Sequence, residues 1–182
     1  MKYAIFYHVF PGDNWEDMYL EQLGALLASK LYEQLDYFYI GFNGSLDLLS
    51  LPDKAIACEN QNKQEETDTL RALYQWCKKN DDAAVLYMHT KGVSRRTQYT
   101  DDWRHLMEFF CIHQWQECIT HLVLGADETT PPSDLVGVNW QENTSMGWHP
   151  HFSGGFWWAN SNYVAGLSDE YLEHPNRYWR EF

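Results

Sequence analysis

Positive charge is what this sequence has least of: 13 Lys and Arg face 26 Asp and Glu, a formal net charge of −13. That balance repels phosphate backbones, which excludes non-specific nucleic-acid binding and disfavours anionic membranes. Long apolar runs are missing too. The one near the start, in MKYAIFYHVFPG, is broken by His8 and stopped by Pro11. It is too short for a signal peptide or an integral membrane segment and reads as a buried strand. Cysteine is sparse: Cys58, Cys77, Cys111 and Cys118 form no CxxC pair. Cys111 and Cys118 are expected two helical turns apart, beyond ordinary disulfide reach, so a reducing, cytoplasmic setting is the simpler expectation. G-x-S-x-G, the P-loop and G-x-G-x-x-G are all absent. α/β-hydrolases, P-loop NTPases and dinucleotide-binding Rossmann enzymes thereby lose their main signature.

What is abundant is aromatic side chains, 16% of the chain with nine Trp and twelve Tyr, within a sequence that is 45% hydrophobic. This supports one sizeable core, and residues 1–182 are expected to form a single domain. Residues 2–10 read as a strand. A helix follows in NWEDMYLEQLGALLASKLYEQ, with Leu20, Leu23, Leu27 and Leu31 at helical spacing after an Asn14 cap with Asp17 three residues on. DYFYIGF (36–42) and KAIAC (54–58) are further strands, and a helix starts near Thr67 with Leu70, Leu73, Tyr74 and Cys77 on one face. AAVLYMHT (83–90) has the continuous apolar character of a strand covered on both faces. Thr100 is placed to cap a long helix with the stripe Trp103, Leu106, Met107, Phe110, Cys118 and Leu122. DLVGVNW (134–140) and residues 152–159 supply the last strands. Strands alternating with helices predict an α/β fold with a mostly parallel central sheet flanked by helices, Rossmann-related, whose ligands bind beyond the carboxyl ends of the strands. His8 and Pro11, Asn43, Glu59 and Asn60, His89 to Lys91, and Asn139 with Trp140 all fall at such ends.

The segment HTKGVSRR (89–96) gathers Lys91, Arg95 and Arg96, with Arg104 close behind, in an otherwise acidic chain. A glycine-containing loop with Lys and Arg at a strand end suits a diphosphate. A solvated basic loop is the competing explanation, since charge clusters often face water. His8, His89, His149 and His151 raise the question of a metal. His-Pro-His lacks helical ligand spacing and no HExxH or paired CxxC accompanies it, so hydrogen-bonded structural histidines explain them better. Asp101 and Asp102 suit a helix N-terminus, and Asp81 and Asp82 a solvated helix end. Glu142, Asp169, Glu170 and Glu181 are the remaining acidic candidates.

IFYHVFPGDNW, ETDTLRALY, VLYMHTKGVS, DWRHLMEFF, LVGVNW, PHFSGGFWWA and RYWREF occur in this order. Together they resemble small bacterial and viral glycosyltransferase-like proteins of the GT-A fold. The pairing of HTKG with HFSG-x-FWWA is the specific part, and the likeness spans nearly the whole chain. The resemblance implies a transferase moving a sugar from a nucleotide-diphosphate-sugar donor to a glycan or glycoconjugate acceptor. It places Tyr7, His8 and Pro11 by the nucleotide and His89, Thr90 and Lys91 at the strand end where many GT-A enzymes carry a metal-binding Asp-x-Asp. No acidic pair stands there, which disfavours a divalent metal (Mn or Mg) and hands the diphosphate charge to Lys91 with Arg95 or Arg96. His151 to Trp158 would line donor sugar and acceptor. Asn139, Trp140, Trp148, His149, Phe152, Ser153, Gly154, Gly155 and Trp157 or Trp158 form the expected sugar-binding surface. Glu181, matching the acid of a closing R-x-x-x-E-F segment, leads Asp169 and Glu142 as catalytic base, with His151 at the pocket mouth. Two departures stand out: Gly155 replaces an expected Asn, and similar sequences usually continue past the position of Phe182. The rival is a non-catalytic nucleotide- or carbohydrate-binding module on the same fold, and a third option is a hydrolase using the histidines with a metal.

Overall fold

β1 (Lys2–Val9) is buried from Ala4 to Val9, and β4 (Ala83–His89) from Ala83 to Met88, as expected of strands covered on both faces. In the computed structural model, which describes residues 1–61, 66–93, 96–127, 129–142 and 150–173, these two strands lie side by side in parallel register, with Phe6 opposite Tyr87 and His8 opposite His89. β2 (Tyr37–Phe42) runs parallel on the other side of β1, and β3 (Ala55–Glu59) parallel beyond it. β8 (Trp157–Asn160) is antiparallel to β4, and β5 (Leu135–Gly137) is antiparallel to β8. The sheet therefore has six strands in the order β3-β2-β1-β4-β8-β5. A separate hairpin pairs β6 (Trp140–Gln141) with β7 (His151–Phe152). The expected mostly parallel α/β sheet is present. The expected strand at 152–159 is instead two short strands separated by a turn at Ser153–Gly155, and 134–140 likewise divides into β5 and β6.

α1 (Trp15–Ala28) and the short α2 (Leu31–Gln34) cover one face, together with α4 (Gln98–Glu108) and α5 (Trp115–Val123). α3 (Thr67–Cys77), α6 (Ser161–Ala165) and α7 (Glu170–Glu173) lie against the other. α3 buries Leu70, Leu73, Tyr74 and Cys77 on one face, as its spacing predicts. Adjacent residues of β8 divide between the layers: Trp158 joins the α1 side, where its Nε1 donates to the Cys111 carbonyl at 2.8 Å, and Trp157 joins the α3 side.

Three expectations are corrected. Asn14 precedes α1 in the left-handed region, with no side-chain cap, and the buried face is Met18, Tyr19, Gln22 and Leu26 rather than the leucine row. Leu20 and Leu27 are exposed and Leu31 opens α2, because α1 is turned to deliver Gln22 to a buried polar network with Tyr7 and Glu108. The cap of α4 is Thr97, three residues earlier than expected; its hydroxyl accepts from the Thr100 N–H while Thr100 Oγ1 accepts from the Thr97 N–H, a reciprocal capping box. Finally, the long helix is interrupted by a π-helical stretch at Phe109–His113. Its wider turn rotates the register, so Phe110 faces outward while Cys111, Ile112 and Trp115 face inward; Leu106, ahead of it in α4, is also exposed. The Cys111 thiol donates to the Phe156 carbonyl and the Cys118 thiol to the Phe110 carbonyl, and all four cysteines are free.

Candidate functional site

The strand order places a topological switch point between β1 and β4: the chain leaves β1 toward β2 and β3, and leaves β4 toward the opposite edge. The two carboxyl ends are tied together. The Thr90 N–H donates to the His8 carbonyl at 3.1 Å, and the Phe10 N–H donates to Thr90 Oγ1 at 3.0 Å. Thr90 is buried and serves as this clasp, with Pro11 partly exposed just beyond.

Much of the polarity at the strand ends is consumed internally. His8, Asn43, Asn60 and Thr69 are all buried. The Asn60 amide nitrogen lies 2.7 Å from Asn43 Oδ1, 3.2 Å from Thr69 Oγ1 and 3.3 Å from His8 Nδ1, which in turn is 3.1 Å from Thr69 Oγ1. Burial lowers the His8 pKa to about 4, so the ring is neutral. His8 is thus a structural acceptor. Tyr7 is also displaced from the expected nucleotide contact: it has no exposed surface, and its hydroxyl donates to Gln22 Oε1.

What stays open is a narrow cleft of about 30 Å³ lined by Glu66, Tyr87, His89, Lys91, Trp157 and the Gly154–Gly155 turn. Its wall is made by stacking: the Tyr87 ring lies 5.4 Å from Trp157, with the planes 29° apart. Among Phe156, Trp157 and Trp158, therefore, Trp157 faces the cleft. Glu66 sits at the N-terminus of α3, where a carboxylate complements the helix dipole, and its Oε2 accepts from the Tyr87 hydroxyl at 2.7 Å. His89 Nε2 lies 2.7 Å from the Gly154 carbonyl. A carbonyl only accepts, so Nε2 carries the hydrogen, and burial holds the His89 pKa below its ordinary value. Gly154 and Gly155 have φ of +107° and +74°, which glycine alone adopts readily. The turn also demands close approach, since a Cβ on Gly154 would lie 2.3 Å from Met107 Sδ.

Of the expected basic clamp, Lys91 reaches this cleft, with its Nζ 4.5 Å above the Trp103 ring. Arg96 is drawn instead to the first turn of α4, where Nε pairs with Asp101 at 3.2 Å. Arg104 is buried and engaged by Glu108 (2.9 Å), Glu21 (3.1 Å) and Asp101 (3.6 Å), so it offers no diphosphate contact. Arg95, Trp148, His149 and Glu181 lie outside the described residues.

Past Trp103 a wider groove of about 340 Å³ opens between α4 and the β6–β7 hairpin, lined by Tyr99, Asp102, Trp103, Asn139, Gln141 and Ser153. Asn139 adopts φ +60°, and its carbonyl accepts from the Ser153 N–H at 3.0 Å. Trp140 is exposed and stands edge-on to the buried Phe152, with centroids 5.0 Å apart. His151 is buried, and Glu142 is exposed just after β6. Asp169 is removed from the site. It accepts from the Tyr74 hydroxyl and pairs with Lys78 at 3.2 Å, near the C-terminal end of α3 and the amino ends of the strands.

The expected sites thus concentrate on His89, Lys91, Gly154, Gly155 and Trp157. Glu66 was the residue missed; its only sequence signal is an acid directly before a helix that follows a strand end.

Two acidic settings bear on whether a cation could be held. Glu21, His105 and Glu108 converge with ligand atoms within 4.8 Å of one another. The Arg104 guanidinium already fills that centre, bonding Glu21, Glu108 and His105 Nε2. Burial raises the Glu108 pKa, against the pull of Arg104. A metal there would compete with a fixed positive charge. In the cleft, the described lining pairs one carboxylate, Glu66, with the ammonium of Lys91. That is a poor match to the oxygen-rich octahedron of Mg²⁺ or Mn²⁺.

Fold and site together define an α/β protein with a charged, aromatic-walled cleft at the switch point of its sheet. The chain belongs to the family described as Domain of unknown function (DUF8361), whose model matches residues 5–178. No curated protein matches it. Among the described residues, no helix is long and apolar enough to cross a membrane.

Proposed function

We propose that this protein is a GT-A-like glycosyltransferase that takes a sugar from a nucleotide-diphosphate donor and transfers it to a glycan or glycoconjugate hydroxyl. One observation carries the proposal: an ammonium, Lys91, and a carboxylate, Glu66, share a glycine-floored, aromatic-walled cleft at the switch point. Transfer needs positive charge where the leaving diphosphate develops negative charge, and an acceptor for the hydroxyl proton. Lys91 supplies the first and Glu66 the second. Glu66 replaces Asp169, which sits elsewhere, as the carboxylate assigned to the proton. Neutral His89, fixed by Gly154, holds the turn against β4. The basic-loop chemistry does not call on a divalent cation, and the free cysteines accord with a cytoplasmic protein.

The alternative of a non-catalytic nucleotide- or carbohydrate-binding module is favoured by the narrowness of the cleft, about 30 Å³, against the several hundred of ordinary ligand sites. A panel of nucleotide sugars with neutral oligosaccharide acceptors, with and without EDTA, separates the two. Transfer that survives EDTA and is lost in Glu66→Gln, with donor binding intact, supports the transferase. Donor binding without turnover by the wild-type protein supports the module.

A further inference from the structure

We propose that the groove between α4 and the β6–β7 hairpin is a binding site for an uncharged glycan. The inference rests on the transferase reading only for the glycan's role as acceptor. The groove has the mixed lining a sugar ring requires. Tyr99 is 72% exposed, an unusual degree for so large a ring, and lies 5.9 Å from Trp103 with the planes 53° apart. These two rings give an aromatic wall for the C–H faces of a pyranose. Asn139, Gln141 and Ser153 on the opposite wall bring amide and hydroxyl groups for its hydroxyls. The volume, about 340 Å³, reaches the range of small-ligand sites, unlike the neighbouring cleft.

Charge selects among glycans. The one charged side chain in the described lining is the acid Asp102, whose Oδ1 accepts from Gln98 Nε2 at 2.7 Å, in a chain of net charge −13. Uronic-acid or sulfated chains are therefore repelled and neutral hexose chains accepted. Trp103 joins the groove to the cleft, because Lys91 stands over the same ring. Ser153 in the groove is followed directly by Gly154 in the cleft. A chain seated on Tyr99 and Trp103 thus ends beside Lys91 and Glu66.

The test uses the full chain with trisaccharides of glucose, galactose and N-acetylglucosamine against trigalacturonic acid, followed by calorimetry and tryptophan fluorescence. Wild type is expected to bind a neutral trisaccharide in preference to the acidic one. Tyr99→Ala weakens that binding about tenfold, and Tyr99→Phe retains it. Equal affinity in Tyr99→Ala, no binding of any neutral trisaccharide, or preference for trigalacturonic acid overturns the proposal. Nucleoside-diphosphate binding measured on the same samples keeps the two ideas apart. Diphosphate binding without glycan binding sinks the groove alone; glycan binding without diphosphate binding sinks the transferase and leaves the groove standing.

Discussion

Replacing Gly154 with Ala tests the turn on which the cleft depends. The added Cβ meets Met107 Sδ at 2.3 Å and Trp103 Nε1 at 3.1 Å, at a φ of +107°. Forcing an L-residue into left-handed backbone costs roughly 1–2 kcal/mol. Overpacking against a buried methionine adds roughly 1–3 kcal/mol. Met107 has no exposed surface, so it has little room to yield. The sum, about 2–5 kcal/mol, corresponds to a melting temperature lower by roughly 4–20 °C in a protein of this size. Differential scanning calorimetry reads it directly. Gly24→Ala is the matched control: it lies within α1 with nothing inside 4 Å, and should gain roughly 0.5–1 kcal/mol from helix propensity. A Gly154→Ala protein that melts with the wild type would refute the close-packed turn.

Stability should also depend on pH through His8. Its pKa falls from 6.5 in the unfolded chain to about 4 in the fold. Above pH 6.5 both states are neutral and stability is full; as pH falls from 6.5 toward 4 the unfolded chain binds the proton first, and about 3 kcal/mol is lost. His89 acts in the same direction, so urea midpoints across that window should show a shallower slope in His8→Gln, and an unchanged slope would contradict the assignment. Arg104→Met leaves Glu108 buried without its guanidinium and should cost about 3–5 kcal/mol, whereas Arg104→Met with Glu108→Leu recovers much of the loss. Chemical denaturation of both variants checks this, and equal losses would mean that the ion pair is not the source.

Strand positions were legible because parallel strands buried on both faces advertise themselves as apolar runs, as in Ala83–Met88. His89 and Lys91 end that most buried strand, which is what pointed to this strand end as the candidate site. Helix faces were harder to read. α1 buries Gln22 and exposes Leu20 and Leu27 because Gln22 donates to Glu108 Oε1 at 2.9 Å and receives the Tyr7 hydroxyl. A network joining side chains from three distant segments leaves no periodic trace. The π-helical turn at Phe109–His113 likewise shifts register with no Pro or Gly to mark it. Basic residues misled in a different way. Arg96 and Arg104 share the HTKGVSRR neighbourhood with Lys91, yet α4 starts so soon after that loop that its own acids, Asp101 and Glu108, capture them.

The central claim is that Lys91 binds a diphosphate at the switch-point cleft without a metal. Isothermal calorimetry of nucleoside diphosphates in EDTA, comparing wild type with Lys91→Ala of equal melting temperature, measures it directly. We expect the wild type to bind at least one nucleoside diphosphate and Lys91→Ala to lose that binding. Unchanged affinity in Lys91→Ala, or binding that appears only when divalent metal is restored, would contradict it.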